Sequence, residues 1–554
     1  MNKKIIIYQL LPRLFGNDNT THKPNGTLEE NGCGKFNDID HNALVAIHKL
    51  GATHVWYTGI LEHATTTSHG KMKGDVPNIV KGKAGSPYAV RDYYDVDADL
   101  ASNEAQRIEE FEALVQRTHD EGLGVIIDFV PNHVARYYRS DKKPKGVHDF
   151  GTNDDKGKHF HPQNNFYYCP NIGFAPQFDK GKYEEFPAKA TGNDCFNASP
   201  SKNDWYETVK LNYGVDYCGN GTSFDPLPNT WLKMRHILLY WAGKGVDGFR
   251  CDMAEMVPVA FWHWVIGEVK RDHPNIKFIA EVYNPLLYRS YIYDGGFDYL
   301  YDKVGLYDTL RAVINDKMSA SEITKAWQNV NDIKEHMLSF LENHDEQRIA
   351  SSFFAGEAEK AIPAMMVATL ISTAPVMCYF GQELGERGMD AEGFSGKDGR
   401  TTIFDYWSLD KIIRWRNKGK YDKRRLTPKE RDLQQFYTQL FTLAKEPTVA
   451  EGVMYDLQYL NYFSPHYNVG RQYSFIRRKG DKTLLVVVNF ENKEKAVEVH
   501  LDQKVFDFLG MVPNQRQLAK NALTGSLVQI EWTPKGTVRL NIPANNGIIL
   551  KMKN

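Results

Sequence analysis

Cysteine is scarce in this chain and does not cluster. Its six residues, Cys33, Cys169, Cys195, Cys218, Cys251 and Cys378, are scattered over 554 positions with no CxxC pair. That spacing argues against a zinc ribbon, a redox pair or a disulfide scaffold, and reads as free thiols in a reducing compartment. An excess of either charge is missing too: 68 basic and 69 acidic residues leave a formal charge of −1. Without a bulk basic field, neither nucleic acid nor an anionic membrane is an expected partner, and a neutral or small substrate is. No apolar run approaches the roughly 20 residues of a membrane span. The opening Met1-Asn2-Lys3-Lys4-Ile5-Ile6-Ile7 breaks at Tyr8-Gln9, short of the ~7–15 apolar residues of a secretory signal. It reads as a buried strand, and the expected location is cytoplasmic. Internal repeats, low-complexity tracts and HExxH spacing are also lacking.

What is present is an ordinary globular composition, 25% charged and 42% hydrophobic. Single cores stop growing at roughly 250–300 residues, so this length predicts one large domain and one or two smaller ones. Eight short apolar, β-branched runs fall at 5–11, 54–60, 125–130, 246–252, 278–282, 297–301, 337–341 and 376–380. Segments of helical period separate them, among them 105–121, 231–243, 259–272 and the Ala/Met/Ile-rich 358–372. Strands alternating with helices predict a parallel sheet, and eight of them a (β/α)8 barrel with its active site at the strand C-termini. Residues 134–212 lack either period and are rich in Lys, Asn, Asp, Gly, Pro and aromatics, a loop-rich insertion after the third strand. From 448 to 554 short alternating strands (473–478, 484–490, 496–501, 547–552) predict a C-terminal all-β sandwich. The barrel is then built from 1–133 and 213–447.

Polar clusters close four of these strands. In Asp128-Phe129-Val130-Pro131-Asn132-His133 the period of two points Asp128, Val130 and Asn132 one way. Asp128 reads equally as a buried carboxylate holding a loop. In Gly248-Phe249-Arg250-Cys251-Asp252, Arg250 and Asp252 share a face, and a neighbouring cation would keep Asp252 ionised. Glu281 follows an apolar strand, where desolvation would raise it towards a general acid. If those are strands four and five, their tips lie about 4.8 Å apart. That separation suits the ~5–5.5 Å of a retaining glycosidase better than the ~6.5–9.5 Å of an inverting one. Phe340-Leu341-Glu342-Asn343-His344-Asp345 adds Asp345, a third carboxylate that could stabilise an oxocarbenium-like transition state.

These segments, DFVPNH (128–133), GFRCD (248–252), FIAEVYN (278–284) and FLENHD (340–345), resemble in order and spacing the four signature segments of the α-amylase family of glycoside hydrolases. SPYAVRDYYDVD (86–97) and YFGQELG (379–385) extend the resemblance over nearly the whole chain. It implies Asp252 as nucleophile, Glu281 as acid/base and Asp345 as the group that distorts the sugar, with α-glucans or maltooligosaccharides as substrate. It also implies that Arg250, His133 and His344 hold that sugar and that Tyr88 stacks under it. Asn132 matches a frequent calcium ligand, although the chemistry itself requires no cofactor. The chain departs from the family at Glu255 and Met256, where many α-amylases carry a Lys-His pair contacting the leaving sugar. That departure keeps a transglycosylase, glucanotransferase or trehalose- or sucrose-handling, as an alternative to hydrolysis. More distant alternatives are a non-catalytic glycan binder and a metal hydrolase using Asp128, His133, His344 and Asp345. Among the aromatics, Trp205, Tyr283 and above all Trp407 are candidates for stacking on sugar rings.

Overall fold

The computed structural model describes residues 4–70 and 72–553. The eight apolar runs become strands β1 (Ile6–Leu10), β2 (His54–Tyr57), β3 (Gly124–Phe129), β4 (Gly248–Cys251), β5 (Lys277–Ala280), β6 (Tyr299–Tyr301), β7 (Met337–Leu338) and β8 (Val376–Tyr379). They pair in parallel in the order β7-β6-β5-β4-β3-β2-β1-β8. A bridge between Ser339 and Val376 joins the two ends and closes the barrel, with Ser339 donating to the Pro375 carbonyl at 3.0 Å. Strands such as β1 and β8 are buried along their whole length, the pattern of a sheet covered on both faces.

Helices cover the outside. α1 (His41–Leu50) starts on Asp40, whose carboxylate accepts the Ala43 amide, and stops at Gly51. Gly51 has a φ of +116°, and a Cβ there would come within 2.6 Å of Phe441. α2 (Arg107–Asp120), α3 (Asn229–Gly243) and α4 (Val259–Asp272) follow β2, β3 and β4. Between β5 and β6 the helix shrinks to a five-residue π-helical turn, Ser290–Asp294. α5 (Asp308–Ile314) and α6 (Glu322–Asn329) follow β6, and α7 (Ile362–Leu370) follows β7. Every residue of α7 from Pro363 to Leu370 is buried, because the helix lies between the barrel and the C-terminal sheet. No helix among the described residues is long and apolar enough to cross a membrane, and all six cysteines are free thiols.

The segment after β3 leaves through a short strand, His133–Ala135, and returns antiparallel to it as Thr208–Lys210. Its order comes from side-chain-to-backbone bonds: Asp154 alone accepts from the amides of Asn165 and Phe166 and from the Tyr168 hydroxyl. In the C-terminal module, β9 (Val453–Asp456), β10 (Gln472–Lys479), β11 (Lys482–Asn489), β13 (Asn514–Asn521), β14 (Leu527–Trp532) and β16 (Asn546–Lys553) form an antiparallel sheet ordered β9-β10-β11-β16-β13-β14. β12 (Lys495–His500) pairs with β15 (Thr537–Ile542) as a second layer. Alternation divides the work: Ile476, Leu485 and Val487 face that layer, while Phe475, Leu484 and Val486 join the barrel core.

Candidate active site

Arg250, fully buried on β4, organises the floor of the barrel mouth. Its Nη1 donates to Asp252 Oδ1 at 2.7 Å and lies 3.4 Å from Asp128 Oδ1. Its Nη2 forms an ion pair with Glu281 Oε2 at 2.8 Å, and its Nε donates to the Tyr301 hydroxyl at 3.2 Å. One guanidinium thereby links the tips of four neighbouring strands. Cys251 and Ala280 are directly paired, so Asp252 and Glu281 are the next residues on adjacent strands; the Glu281 amide donates to the Cys251 carbonyl at 3.1 Å. Cys251 points to the opposite face and is fully buried, as the period of two requires.

The chain turns sharply after Asp252. Met253 adopts a φ of +44°, a region costly for a side chain with a Cβ, and in that pose its amide donates to Glu281 Oε2 at 2.8 Å. Tyr283 donates a short hydrogen bond to Glu281 Oε1. Glu255 holds this loop, its Oε2 accepting the amides of Tyr283 at 2.9 Å and Asn284 at 3.0 Å. Glu281 therefore does not sit in the apolar surroundings its strand suggests, but among a cation, an amide and a phenol.

Charges around the mouth oppose one another. Burial drives the Asp252 carboxyl well above the usual carboxylate range; Arg250 opposes this, and Glu281, Asp128 and Asp345 add to the rise. The expectation that a neighbouring cation keeps Asp252 ionised is met only in part: Arg250 pulls its carboxyl down, but burial outweighs it. Burial also acts upward on Asp345, but His344, 3.0 Å away, together with Arg250 and Arg400 holds it at about 2. Burial first, then Lys210 and Lys81, pushes His133 down to about 3. The imidazole is neutral where it approaches Asp252 Oδ2 at 4.0 Å. Tyr88 stacks on His344 with ring centres 5.1 Å apart, and its hydroxyl meets His344 Nε2 at 2.6 Å. Asp128 is a strut beneath, accepting from Trp56 Nε1 at 3.0 Å and from Tyr88 at 3.2 Å.

These groups open on a cleft of about 540 Å³ lined by Tyr88, His133, Trp205, Asp252, Glu281, Tyr283 and Asp345. Three sequence candidates are placed elsewhere. Arg250 and His344 lie under the lining, their nitrogens taken by Asp252, Tyr301, Gln9, Tyr88 and Asp345, so they support the surface rather than form it. Trp407 is outside the cleft altogether: it is 3% exposed and stacked on His22 at 4.6 Å. Asn17 donates to its backbone carbonyl at 2.8 Å, while Arg400, Ile403 and Phe404 earlier in the same loop face the cleft. Sequence reasoning missed Lys81, Glu207, Lys303 and Arg400 on the cleft wall, and Gln9 and Tyr301 below it. Gln9 and Tyr301 carry a signal, each a polar group at the tip of an apolar barrel strand.

The residues at Asn132 do not fit calcium. Its Oδ1, the oxygen a cation would use, accepts from the ammonium of Lys210 at 2.8 Å, and its Nδ2 donates to the Gly192 carbonyl. Elsewhere Glu62, Asp92, Asp95 and Asp141 bring carboxylate oxygens within 4.8 Å of one another, but Arg107 already pairs with Asp95.

The sequence profile for the alpha amylase catalytic domain matches residues 9–424. The chain is 24% identical over 284 residues to an alpha-1,4-glucan:maltose-1-phosphate maltosyltransferase of Picrophilus torridus, covering 50% of this chain and 32% of that protein. It is 22% identical over 505 residues to Alpha-amylase 2 of Dictyoglomus thermophilum, covering 89% of this chain and 70% of the other. The match spans about a third of the length of the maltosyltransferases. Among solved structures, an alpha-amylase from Geobacillus thermoleovorans complexed with acarbose superposes with a TM-score of 0.64 at 19% identity, covering 100% of this chain and 99% of that one. A maltogenic alpha-amylase from Thermotoga neapolitana gives 0.63 at 20% identity, covering both chains fully. Likeness at this identity establishes the fold.

Proposed function

The chain belongs to the alpha-amylase family, and on that premise we propose that it is a retaining glycoside hydrolase cutting α-1,4-glucosidic bonds in maltooligosaccharides, starch or glycogen fragments. The observation that carries this reading is the placement of Asp252 and Glu281 on adjacent strand tips, both held by one guanidinium and both lining one cleft. Neighbouring strands are about 4.8 Å apart, which is closer to the ~5–5.5 Å carboxylate separation of double displacement than to the ~6.5–9.5 Å of inversion.

In the first step Asp252 Oδ2, the oxygen not bonded to Arg250 Nη1, attacks the anomeric carbon. The bond to the leaving oxygen breaks as Glu281 delivers a proton to it, giving a glycosyl ester on Asp252 and a free sugar end. In the second step the Glu281 carboxylate takes a proton from water, the water oxygen attacks the anomeric carbon, and the bond from that carbon to Asp252 breaks with its electron pair returning to the carboxylate. Asp345, ionised at ordinary pH, sits where positive charge develops on the ring. Tyr88 and Trp205 offer aromatic faces to the sugars, and neutral His133 offers a ring nitrogen without adding charge.

A second reading, transfer of the glycosyl group to another sugar, is favoured by Glu255. That residue stands where many relatives contact the leaving sugar, yet its carboxylate is turned to the amides of Tyr283 and Asn284. Both readings share the ester, so product analysis separates them. Maltoheptaose should yield only shorter sugars and new reducing ends, and Asp252→Asn and Glu281→Gln should each abolish this. Oligomers longer than the substrate would favour transfer, and full activity in either variant would overturn the mechanism.

A further inference from the structure

Lys210 ends the strand Thr208–Lys210 and pairs across from His133, yet it is 1% exposed. A buried ammonium persists only where oxygens replace its hydration shell. Nζ donates to Asn132 Oδ1 at 2.8 Å, pairs with Asp194 Oδ1 at 2.5 Å and lies 5.1 Å over the ring of Tyr217. Asn132 belongs to the tip of β3, Asp194 to a turn of the inserted segment, and Lys210 to its returning strand. The same corner is tied by Asn132 Nδ2 to the Gly192 carbonyl and by the Lys210 amide to the Ala190 carbonyl at 2.9 Å.

We propose that the Lys210 ammonium is a built-in cation that joins the inserted segment to the barrel in place of a metal ion, and that it is a positioning residue for His133. A divalent ion would need the two oxygens that Nζ already holds, and would sit against a positive charge. The side-chain amide of Asn132 reaches His133 Nδ1 at 3.2 Å, so fixing Asn132 also fixes the imidazole beside the nucleophile.

The test is scanning calorimetry of the full chain in excess EDTA and in millimolar calcium, with Lys210→Met beside it. All arms carry Glu62→Gln, so that the separate carboxylate cluster does not contribute a calcium response. With Lys210 present, Tm should be the same in EDTA and in calcium. Lys210→Met should melt lower by about 5 °C, the order expected when a buried ion pair is broken in a large domain. In that variant KM for maltoheptaose should also rise while kcat holds, as the His133 ring loses its fixed pose beside the cleft, a split that a lower melting point alone would not produce. A Tm that falls in EDTA with Lys210 in place would overturn the proposal, and this arm decides even if Lys210→Met fails to fold. An unchanged Tm in Lys210→Met would overturn it as well.

Discussion

Replacing Arg250 by lysine keeps one positive charge but removes the fork. Nη1 and Nη2 serve different carboxylates, Asp252 at 2.7 Å and Glu281 at 2.8 Å, and Nε serves Tyr301. A single ammonium on a flexible stem cannot span them, so at least one charge-assisted contact is lost, worth about 1.5–3 kcal/mol. At roughly 1.4 kcal/mol per decade, kcat/KM should fall about 10–100-fold. The pH profile should move as well. Arg250 is the largest influence pulling Asp252 down against burial, so weakening it raises Asp252 further. The nucleophile acts ionised, hence the acid limb of kcat/KM should shift to higher pH. Stability follows the same sign. A carboxyl raised in the folded state favours folding most below the ordinary carboxylate range, and that contribution is lost as pH rises through the folded value. Arg250→Lys should therefore lose more stability near neutrality than in acid. Kinetics on maltoheptaose from about pH 4 to 9, with circular dichroism melts at each pH, measures all three effects. A folded variant within about threefold of the parent, with its acid limb unmoved, would refute the reasoning.

His69 offers a second pH test. Its hydrogen bond to Asp99 at 2.6 Å, against burial and with help from Glu104 at 2.7 Å, raises it to about 9. Its stabilisation is complete below about pH 6.5 and lost as pH rises through about 9. His69→Gln should cost about 1–2 kcal/mol in acid, a figure reduced for the half-exposed Glu104, and almost nothing in alkali. Urea unfolding on either side of that window reads the difference, and parallel losses in parent and variant would contradict it. The two tryptophans separate cleft from core. Trp205→Ala should raise KM for maltoheptaose about three- to tenfold, as loss of a stacking face does. Trp407→Phe should leave KM unchanged and lower Tm; a change in KM alone would mean that Trp407 reaches substrate after all.

Much of this architecture is legible in the sequence, for identifiable reasons. The barrel strands stand out because parallel strands buried on both faces are continuous apolar runs, and each run contains its observed strand to within a residue. The runs overshoot at their C-terminal ends. At 337–341, for example, pairing ends with the single bridge of Ser339 to Val376, and the following turn is tied by Asn343 accepting the amides of Asp345 and Glu346. Residues 134–212 resist reading because their order rests on individual Asp and Asn bonds such as those of Asp154, which leave no period. Trp407 reads as a sugar platform because a ring packed on His22 and a ring facing a cleft share one sequence signature. Glu281 reads as desolvated because the strand before it is apolar, whereas Arg250, Met253 and Tyr283 reach it from other positions in the chain. Lys210 carries no sequence sign at all, since its partners Asn132 and Asp194 lie 78 and 16 residues away in the chain.

If Asp252 and Glu281 act by two displacements at one carbon, the product keeps the configuration of the substrate. Proton NMR of maltoheptaose during the first turnovers reads the configuration of the newly formed reducing end before mutarotation scrambles it. Double displacement predicts that the α-anomer appears first and the β-anomer only later, by mutarotation. A β-anomer appearing first would mean a single inverting displacement, and would contradict the roles of both carboxylates.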